Sequence, residues 1–454
     1  MQLEPSAEQV SVIESSASVK QIIAAAGSGK TRTVIDIANG ILGEASGDNH
    51  ALVRKKNVIA KNEREETESP TYPLLLLTFS RKACQEMHDR LDGNAGKAQI
   101  HTFHGFCYQT IRKHYPDGQK LQVVEDETKL RILRPLFYRF RYEIGGIPFS
   151  MLLSNPERFR EEFPRAAFRI FRFWEQYKSK HGLLEYSDLI RLVLTGLKAA
   201  NQKLSWAREI PGSFETIIVD EFQDTDPHQL EFLKRMRPER LVVVGDDWQG
   251  IYSFRGADIE PFLKFKRHFP AVQRHFLSVN FRSVPGIVKA GNRLIKASSG
   301  QIKKKVRPHR SEVKDSVLAL TLDGNPEEVI VEMMQQCSLD WTILCRSNYR
   351  KDRWLEAGLS EERCITIHRS KGLEFEMVIL DILGGWSGAT NEQARDEEVR
   401  IAYVALTRAR DLFLALYKKD YGSRTGDAWI WNTLFEPVCK KINSEKLERR
   451  IRLK

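Results

Sequence analysis

Long apolar runs are missing from this chain. None reaches the roughly 18 to 20 residues that a membrane-spanning helix needs, so no transmembrane segment is expected. Cysteine is scarce. The six thiols, Cys84, Cys107, Cys337, Cys345, Cys364 and Cys439, include no CxxC pair, which argues against a disulfide framework or a zinc ribbon and for reduced thiols. The opening residues, MQLEPSAEQVSVIESS, lack the basic-then-apolar layout of a secretory signal, and a cytoplasmic location is the expectation. Also missing are an internal repeat and, outside the motifs below, an acidic cluster with a lysine of the kind nucleases use.

Positive charge is in surplus. Lys and Arg number 71 against 60 Asp and Glu, a net charge of +11. A basic surface attracts polyanions, of which nucleic acid is the commonest. The same surplus suits a generically basic soluble protein, so charge alone leaves both readings open. The length, 454 residues, suits two or three domains.

Short apolar runs that end in small or acidic residues alternate with helical stretches. The runs are QIIAAAG (21–27), LLLLTFS (74–80), ETIIVDE (215–221), LVVVGDD (241–247), SVLALTL (316–322), WTILCRS (341–347) and EMVILDI (376–382). This alternation predicts βα units around parallel sheets, with ligands held outside the carboxyl ends of the strands. Two segments break the rhythm. Residues 43–70 are polar and charged, and read as a long exposed loop. Residues 105–200 read as mostly helical, with Phe168, Phe171, Trp174 and Tyr177 at three-residue spacing. The interleaved Arg and aromatic residues of RILRPLFYRFRY (131–142) and RAAFRIFRFW (165–174) fit amphipathic helices with solvated Arg. A basic face that grips phosphates is the second reading of the same pattern.

AAAGSGKT, from Ala24 to Thr31, follows a strand-like run and precedes a helical one. Small residues let backbone N–H groups approach phosphate oxygens, and a helix N-terminus adds its dipole. In such a loop Lys30 reaches the β- and γ-phosphates of a nucleotide and the Thr31 hydroxyl ligates Mg²⁺. DEFQD (Asp220 to Asp224) follows a second apolar strand. Asp220 is placed to hold Mg²⁺ through water, and Glu221 to orient and deprotonate an attacking water.

These motifs resemble the UvrD/Rep branch of superfamily 1 DNA helicases, with a GDDWQ segment similar to that of the helicase IV type. LEPSAEQ resembles the Q motif, AAAGSGKTR motif I, LLTFSRKACQEM motif Ia, HTFHGF the short motif after it, DEFQD motif II and GDDWQGIYSFRGAD motif III. VNFRS resembles motif IV, ITIHRSKGLEFE motif V and IAYVALTRAR motif VI. The resemblance implies ATP and Mg²⁺ as cofactors. It implies Gln9, Arg32 and Phe281 at the adenine, Ala26, Gly27, Ser28, Gly29, Lys30 and Thr31 at the phosphates, and Glu374 at the ribose. Gln249, Arg255, Arg282 and Arg408 then join Lys30, Asp220 and Glu221 in catalysis, and Phe79, Tyr252 and Phe254 stack on bases of the strand.

The fold class implied is α/β: two RecA-like P-loop NTPase domains with parallel sheets, the first carrying a helical insertion. The expected bounds are 1–104 and 195–275 for the first domain, 105–194 for the insertion and 276–454 for the second. The helical subdomain called 2B, usual in the family before motif V, has no room in the link 355–364. Within motif III, an extended backbone would send Gln249 and Arg255 to one face and Tyr252 and Phe254 to the other. The function implied is an ATP-dependent DNA helicase or translocase moving 3′ to 5′ on single-stranded DNA or at a junction with duplex, in repair, replication or recombination. An RNA-directed helicase, an ATP-gated clamp on single-stranded nucleic acid and a P-loop kinase are the other readings.

Overall fold

The computed structural model describes residues 4–44, 72–91, 96–115, 118–149, 151–152, 156–198, 205–253, 256–322, 324–388, 391–421 and 426–452. The charged 43–70 segment falls almost wholly outside these residues, and Phe254 and Arg255 fall outside them too.

Strand β1 (Val19–Ala24) runs into the helix Lys30–Glu44, and β2 (Tyr72–Thr78) and β3 (Ala98–Thr102) follow. A two-stranded pair, β4 (Gln122–Val123) and β5 (Leu183–Leu184), clasps the start and end of a helical segment. Then β6 (Phe214–Val219), β7 (Arg240–Gly245) and β8 (Gln273–Leu277) complete a parallel sheet in the order β3-β2-β6-β7-β1-β8. A second short pair, β9 (Val279–Asn280) and β10 (Arg307–Pro308), leads into the other half. There β11 (Val317–Leu320), β12 (Trp341–Cys345), β13 (Cys364–Thr366), β14 (Phe375–Asp381), β15 (Ala409–Leu416) and β16 (Lys440–Ile442) form a second parallel sheet, ordered β13-β12-β14-β15-β11-β16.

All seven apolar runs are strands, and the α/β expectation holds. Their continuous hydrophobicity follows from burial on both faces. Leu74 and Ile23, for example, pack in different apolar clusters on the first sheet. The second sheet is likewise covered by two clusters. One of these reaches across: Trp248 and Ile251, from the segment after β7, are buried among Val284, Tyr403 and Ala405 of the second half.

The helical segment has its own apolar cluster, from Val124 through Leu133, Phe137 and Phe159 to Trp174. The expected limits of this insertion, 105 and 194, fall inside the helices Phe103–His114 and Tyr186–Lys198. Both helices bury one face (Phe106 and Ile111; Ile190 and Val193) in the core of the first sheet. Likewise β8 carries the first sheet to Leu277, past the expected limit of 275. In the helix Pro164–His181, Trp174 is buried and Phe171 and Tyr177 pack beside it, but Phe168 is 64% exposed. A three-residue step falls short of the 3.6-residue turn by about 60°, so two such steps rotate the side chain about a third of a turn, from exposed Phe168 to buried Trp174.

In the second half, the helix Asn348–Glu356 joins β13 through residues 357–363 alone, so no subdomain intervenes there. Arg350 on that helix is buried between Asp381 Oδ2 (3.0 Å) and Glu327 Oε1 (2.7 Å), and Trp354 Nε1 donates to Asp381 at 2.6 Å. Removing Asp381 leaves buried Arg350 with Glu327 alone and the Trp354 N–H without its acceptor. Asp381→Ala is expected to lower the unfolding free energy by about 3 to 5 kcal/mol, read as a lower urea midpoint.

Candidate functional site

The loop after β1 turns through two glycines in the left-handed region, Gly27 (φ 66°) and Gly29 (φ 80°). At Gly27 space demands glycine as well, since a Cβ there would lie 2.7 Å from the Arg282 Cβ. Gln9 is placed by the helix Ala7–Ile13, which opens with a capping box between Ser6 and Gln9. From there Gln9 Nε2 donates to the Ser28 carbonyl at 3.3 Å. The second half holds the loop from the other side. Asn280 Nδ2 donates to the Ala26 carbonyl and the Phe281 N–H to the Gly27 carbonyl, both at 2.8 Å.

The Ser28 hydroxyl is buried with no hydrogen-bond partner among the described residues. Beside it the helix Lys30–Glu44 begins, presenting unpaired N-terminal amides and the positive end of its dipole. This donor set fits a phosphate. Lys30 is ion-paired with Glu221 at 2.9 Å, and Thr31 is half-buried on the same first turn.

Asp220 directly follows β6, and Glu221 comes next in a left-handed conformation (φ 52°) unusual for a residue with a side chain. Such a conformation costs about 1 to 2 kcal/mol, and strain of this kind gathers at functional sites. The Glu221 N–H donates to Asp220 Oδ1 at 2.9 Å. Gln223 then bonds the Glu221 carboxylate through its amide N–H and accepts from the Asp246 N–H at 2.9 Å, tying motif II to motif III. Burial, reinforced by the neighbouring Glu221, pushes Asp220 up to about 7. Burial also raises Glu221, but Lys30 and then Lys371 outweigh it and hold that carboxylate down at about 2. A buried acid such as Asp220 is a position that a divalent cation would ionise. The Asp220 carboxylate and the Thr31 hydroxyl are oxygen donors of the hard kind that Mg²⁺ takes.

From the second half, Arg408 is buried and its three hydrogen bonds reach neutral oxygens: Val404 O (3.1 Å), Leu373 O (3.2 Å) and Gln249 Oε1 (2.8 Å). Burial, with Arg282 adding, drags this guanidinium down to about 9, as expected for a cation that lacks close counter-charge. Arg282 pairs with Glu374 at 2.6 Å and donates to Thr407 O at 3.2 Å. The Phe281 ring lies 4.8 Å from that of His309, and Arg32 makes only a loose pair with Asp36. Thus Gln9, Ala26, Gly27, Ser28, Lys30, Asp220, Glu221, Gln249, Arg282, Glu374 and Arg408 are linked by bonds that cross between the two halves, and Gly29 and Thr31 stand in the same segment. Arg32 and the Phe281 ring sit at the margin of this set.

Motif III is not extended throughout. Asp246 accepts from the Trp248 N–H at 3.1 Å and starts a 3-10 turn over Asp247–Gln249, which ends the simple alternation of faces. Gln249 still points inward, while Tyr252 stacks on Phe79 with ring centres 5.0 Å apart. Lys371 Nζ lies 4.9 Å above the Tyr252 ring, and the Tyr252 hydroxyl donates to His368 O at 3.4 Å.

Several residues that matter here escaped the sequence reading. Lys371 pairs with Asp224 and donates to the Gln249 carbonyl at 3.1 Å. Arg400 Nε donates to the Gly250 carbonyl at 2.8 Å, and Asn280 and Gln223 act as described. These lie in or beside recognised motifs, which was the available signal. Lys304 had none: it stands in KKK (303–305) between two exposed lysines.

Gly27→Ala tests the junction. With both φ and the Arg282 contact against it, the variant is expected to loosen the seam between the halves, seen as faster amide exchange in 278–283, and to weaken nucleotide binding about tenfold or more.

The UvrD/REP helicase N-terminal domain matches residues 6–145 and 147–270, and the UvrD-like helicase C-terminal domain matches residues 351–419. A probable DNA helicase of Mycoplasma pneumoniae is 27% identical over 436 residues, covering 83% of this chain and 79% of that protein. DNA helicase IV of Escherichia coli is 24% identical over 505 residues, covering 92% and 69%. ATP-dependent DNA helicase PcrA of Staphylococcus epidermidis is 29% identical over 316 residues, covering 64% of this chain and 40% of that protein. The chain thus spans less than half the length of the PcrA relative. With both domains matched in order, and the first alone covering more than half of the chain, the protein belongs to the UvrD/REP helicase family of ATP-hydrolysing enzymes.

Proposed function

We propose that this chain couples ATP hydrolysis to stepping along single-stranded DNA, 3′ to 5′ as the family resemblance implies, in DNA repair, replication or recombination. The observation that carries this reading is the double attachment of one segment. Residues 246–252 bond to the carboxylate loop through Gln223 and to Arg408 through Gln249, and end in Tyr252, stacked on Phe79. A change at the phosphate loop is thereby felt at an aromatic platform, which is what a motor needs.

Bound Mg²⁺–ATP supplies a γ-phosphoryl group with a polarised leaving group. The chain does the rest. The Ser28 and Lys30 region would bind the phosphates, and Asp220 with Thr31 would hold the cation. Lys30 now pairs with Glu221; a phosphate competes for that ammonium and frees the Glu221 carboxylate to take a proton from water. Arg282 and Arg408 bring planar guanidinium donors from the second half to the charge that develops, so hydrolysis depends on the two halves being closed. Stacking on Phe79 and Tyr252 is blind to base identity, as a stepping device requires. With only residues 357–363 where 2B would stand, single-strand movement is expected to be stronger than duplex unwinding.

Three measurements test the reading. ATP hydrolysis at low salt is expected to rise strongly with single-stranded DNA and to fall about 10²-fold or more in Glu221→Gln; hydrolysis indifferent to DNA would refute the coupling, and none at all would favour an ATP-gated clamp. Because a base must part Phe79 from Tyr252, Phe79→Ala is expected to weaken single-strand binding by about 1 kcal/mol, the low end of base stacking, measured by fluorescence anisotropy. Competition between single-stranded DNA and RNA decides against the RNA-directed alternative if DNA wins.

A further inference from the structure

Lys304 lies outside every motif recognised in the sequence, yet its side chain is only 2% exposed. Its ammonium pairs with Asp246 Oδ1 at 2.7 Å and Asp247 Oδ1 at 2.6 Å, both of whose side chains are fully buried. It also donates to the Ala24 carbonyl at 3.1 Å, at the end of β1, and lies 4.5 Å above the Trp248 ring. Burial alone would lower its pKa, but Asp246 and then Asp247 outweigh this and keep it charged. Two buried carboxylates side by side are tolerable only with such a cation between them.

The second oxygen of Asp246 carries the argument on. Asp246 Oδ2 accepts from Gln249 Nε2 at 2.5 Å, which turns Gln249 Oε1 toward Arg408 at 2.8 Å. An amide has one acceptor and one donor end, so fixing the donor end on Asp246 fixes which end meets the guanidinium. We propose that Lys304 is a positioning residue for the ATP-hydrolysing site, setting the orientation of Gln249, and through it Arg408, by clamping Asp246 to the end of β1. This rests on the motor reading above. Lys304 belongs to the segment that crosses from one sheet to the other, so the clamp also ties that crossover to the phosphate strand.

The test uses full-length Lys304→Met, nearly isosteric but uncharged, with Lys303→Met as the exposed neighbour. Lys304→Met is expected to keep KM for ATP within a few-fold and to lose about tenfold or more of the DNA-stimulated kcat, in the range of couplings between sites. Lys303→Met is expected to match the unsubstituted chain. The double variant Lys304→Met with Asp247→Asn removes charge of both signs together. If it restores thermal stability but not stimulated kcat, Lys304 positions; if it restores both, Lys304 only neutralises buried charge and the proposal is overturned. Amide exchange across 246–252, which needs no turnover, is expected to quicken in Lys304→Met. An unsubstituted chain without hydrolysis would sink the motor reading, whereas unchanged exchange and kcat in Lys304→Met would sink this one alone.

Discussion

The structure depends on one burial: the segment that leaves β7 enters the core of the other half. Trp248 and Ile251 are chemically part of the second sheet's apolar cluster while their backbone belongs to the first. The Trp248 ring meets Tyr403 edge to face at 5.4 Å. Apolar burial supplies affinity without direction, and the polar groups around it supply register. Lys304 below, Arg400 on the Gly250 carbonyl and Arg408 on Gln249 each lock one turn of that segment. A junction held by oil alone could slide; this one is indexed.

The phosphate loop shows the same division of labour. Its glycines permit the turn, but its shape is set by neighbours that bond its carbonyls from outside: Gln9 from the N-terminal helix, Asn280 and Phe281 from beyond β8. With those carbonyls engaged, the Ser28 hydroxyl and the helix amides are left as the groups able to meet an anion. Glu221, bent into a left-handed conformation, is held by Lys30 and by Gln223. The strain and the pairing sit on the same residue that the motif pattern marks for proton transfer.

Legibility followed burial. The seven strands read from the sequence are buried runs of β-branched residues and leucine. The strands that were not read include the four edges of the six-stranded sheets, β3, β8, β13 and β16; in β8 and β16 residues such as Gln273 and Lys440 face water and dilute the pattern, and β13 is only three residues long. The inner strand β15 was absorbed into the end of a motif and so passed unnoticed. Of the site, the residues with distinctive neighbours in sequence were legible: Lys30 in its glycine loop, Asp220 and Glu221 after a strand, Arg282 and Arg408 in their motifs. Lys304 was not, because a buried lysine is written with the same letter as an exposed one. Only its partners, Asp246 and Asp247, distinguish it, and those are distant in the chain.

On the function proposed above, the Phe79–Tyr252 stack has a consequence for grip on a strand. In this arrangement the two rings already satisfy each other, so a base that slips between them must first part a pair worth about 0.5 to 1.5 kcal/mol. It then stacks on both rings in exchange for the single pairing it has broken. Net holding is the difference between these quantities, smaller than the stacking alone, and the rings reclose on one another when the base departs. A self-mated platform of this sort favours rapid release over long residence, and it keeps two apolar faces out of water between successive nucleotides.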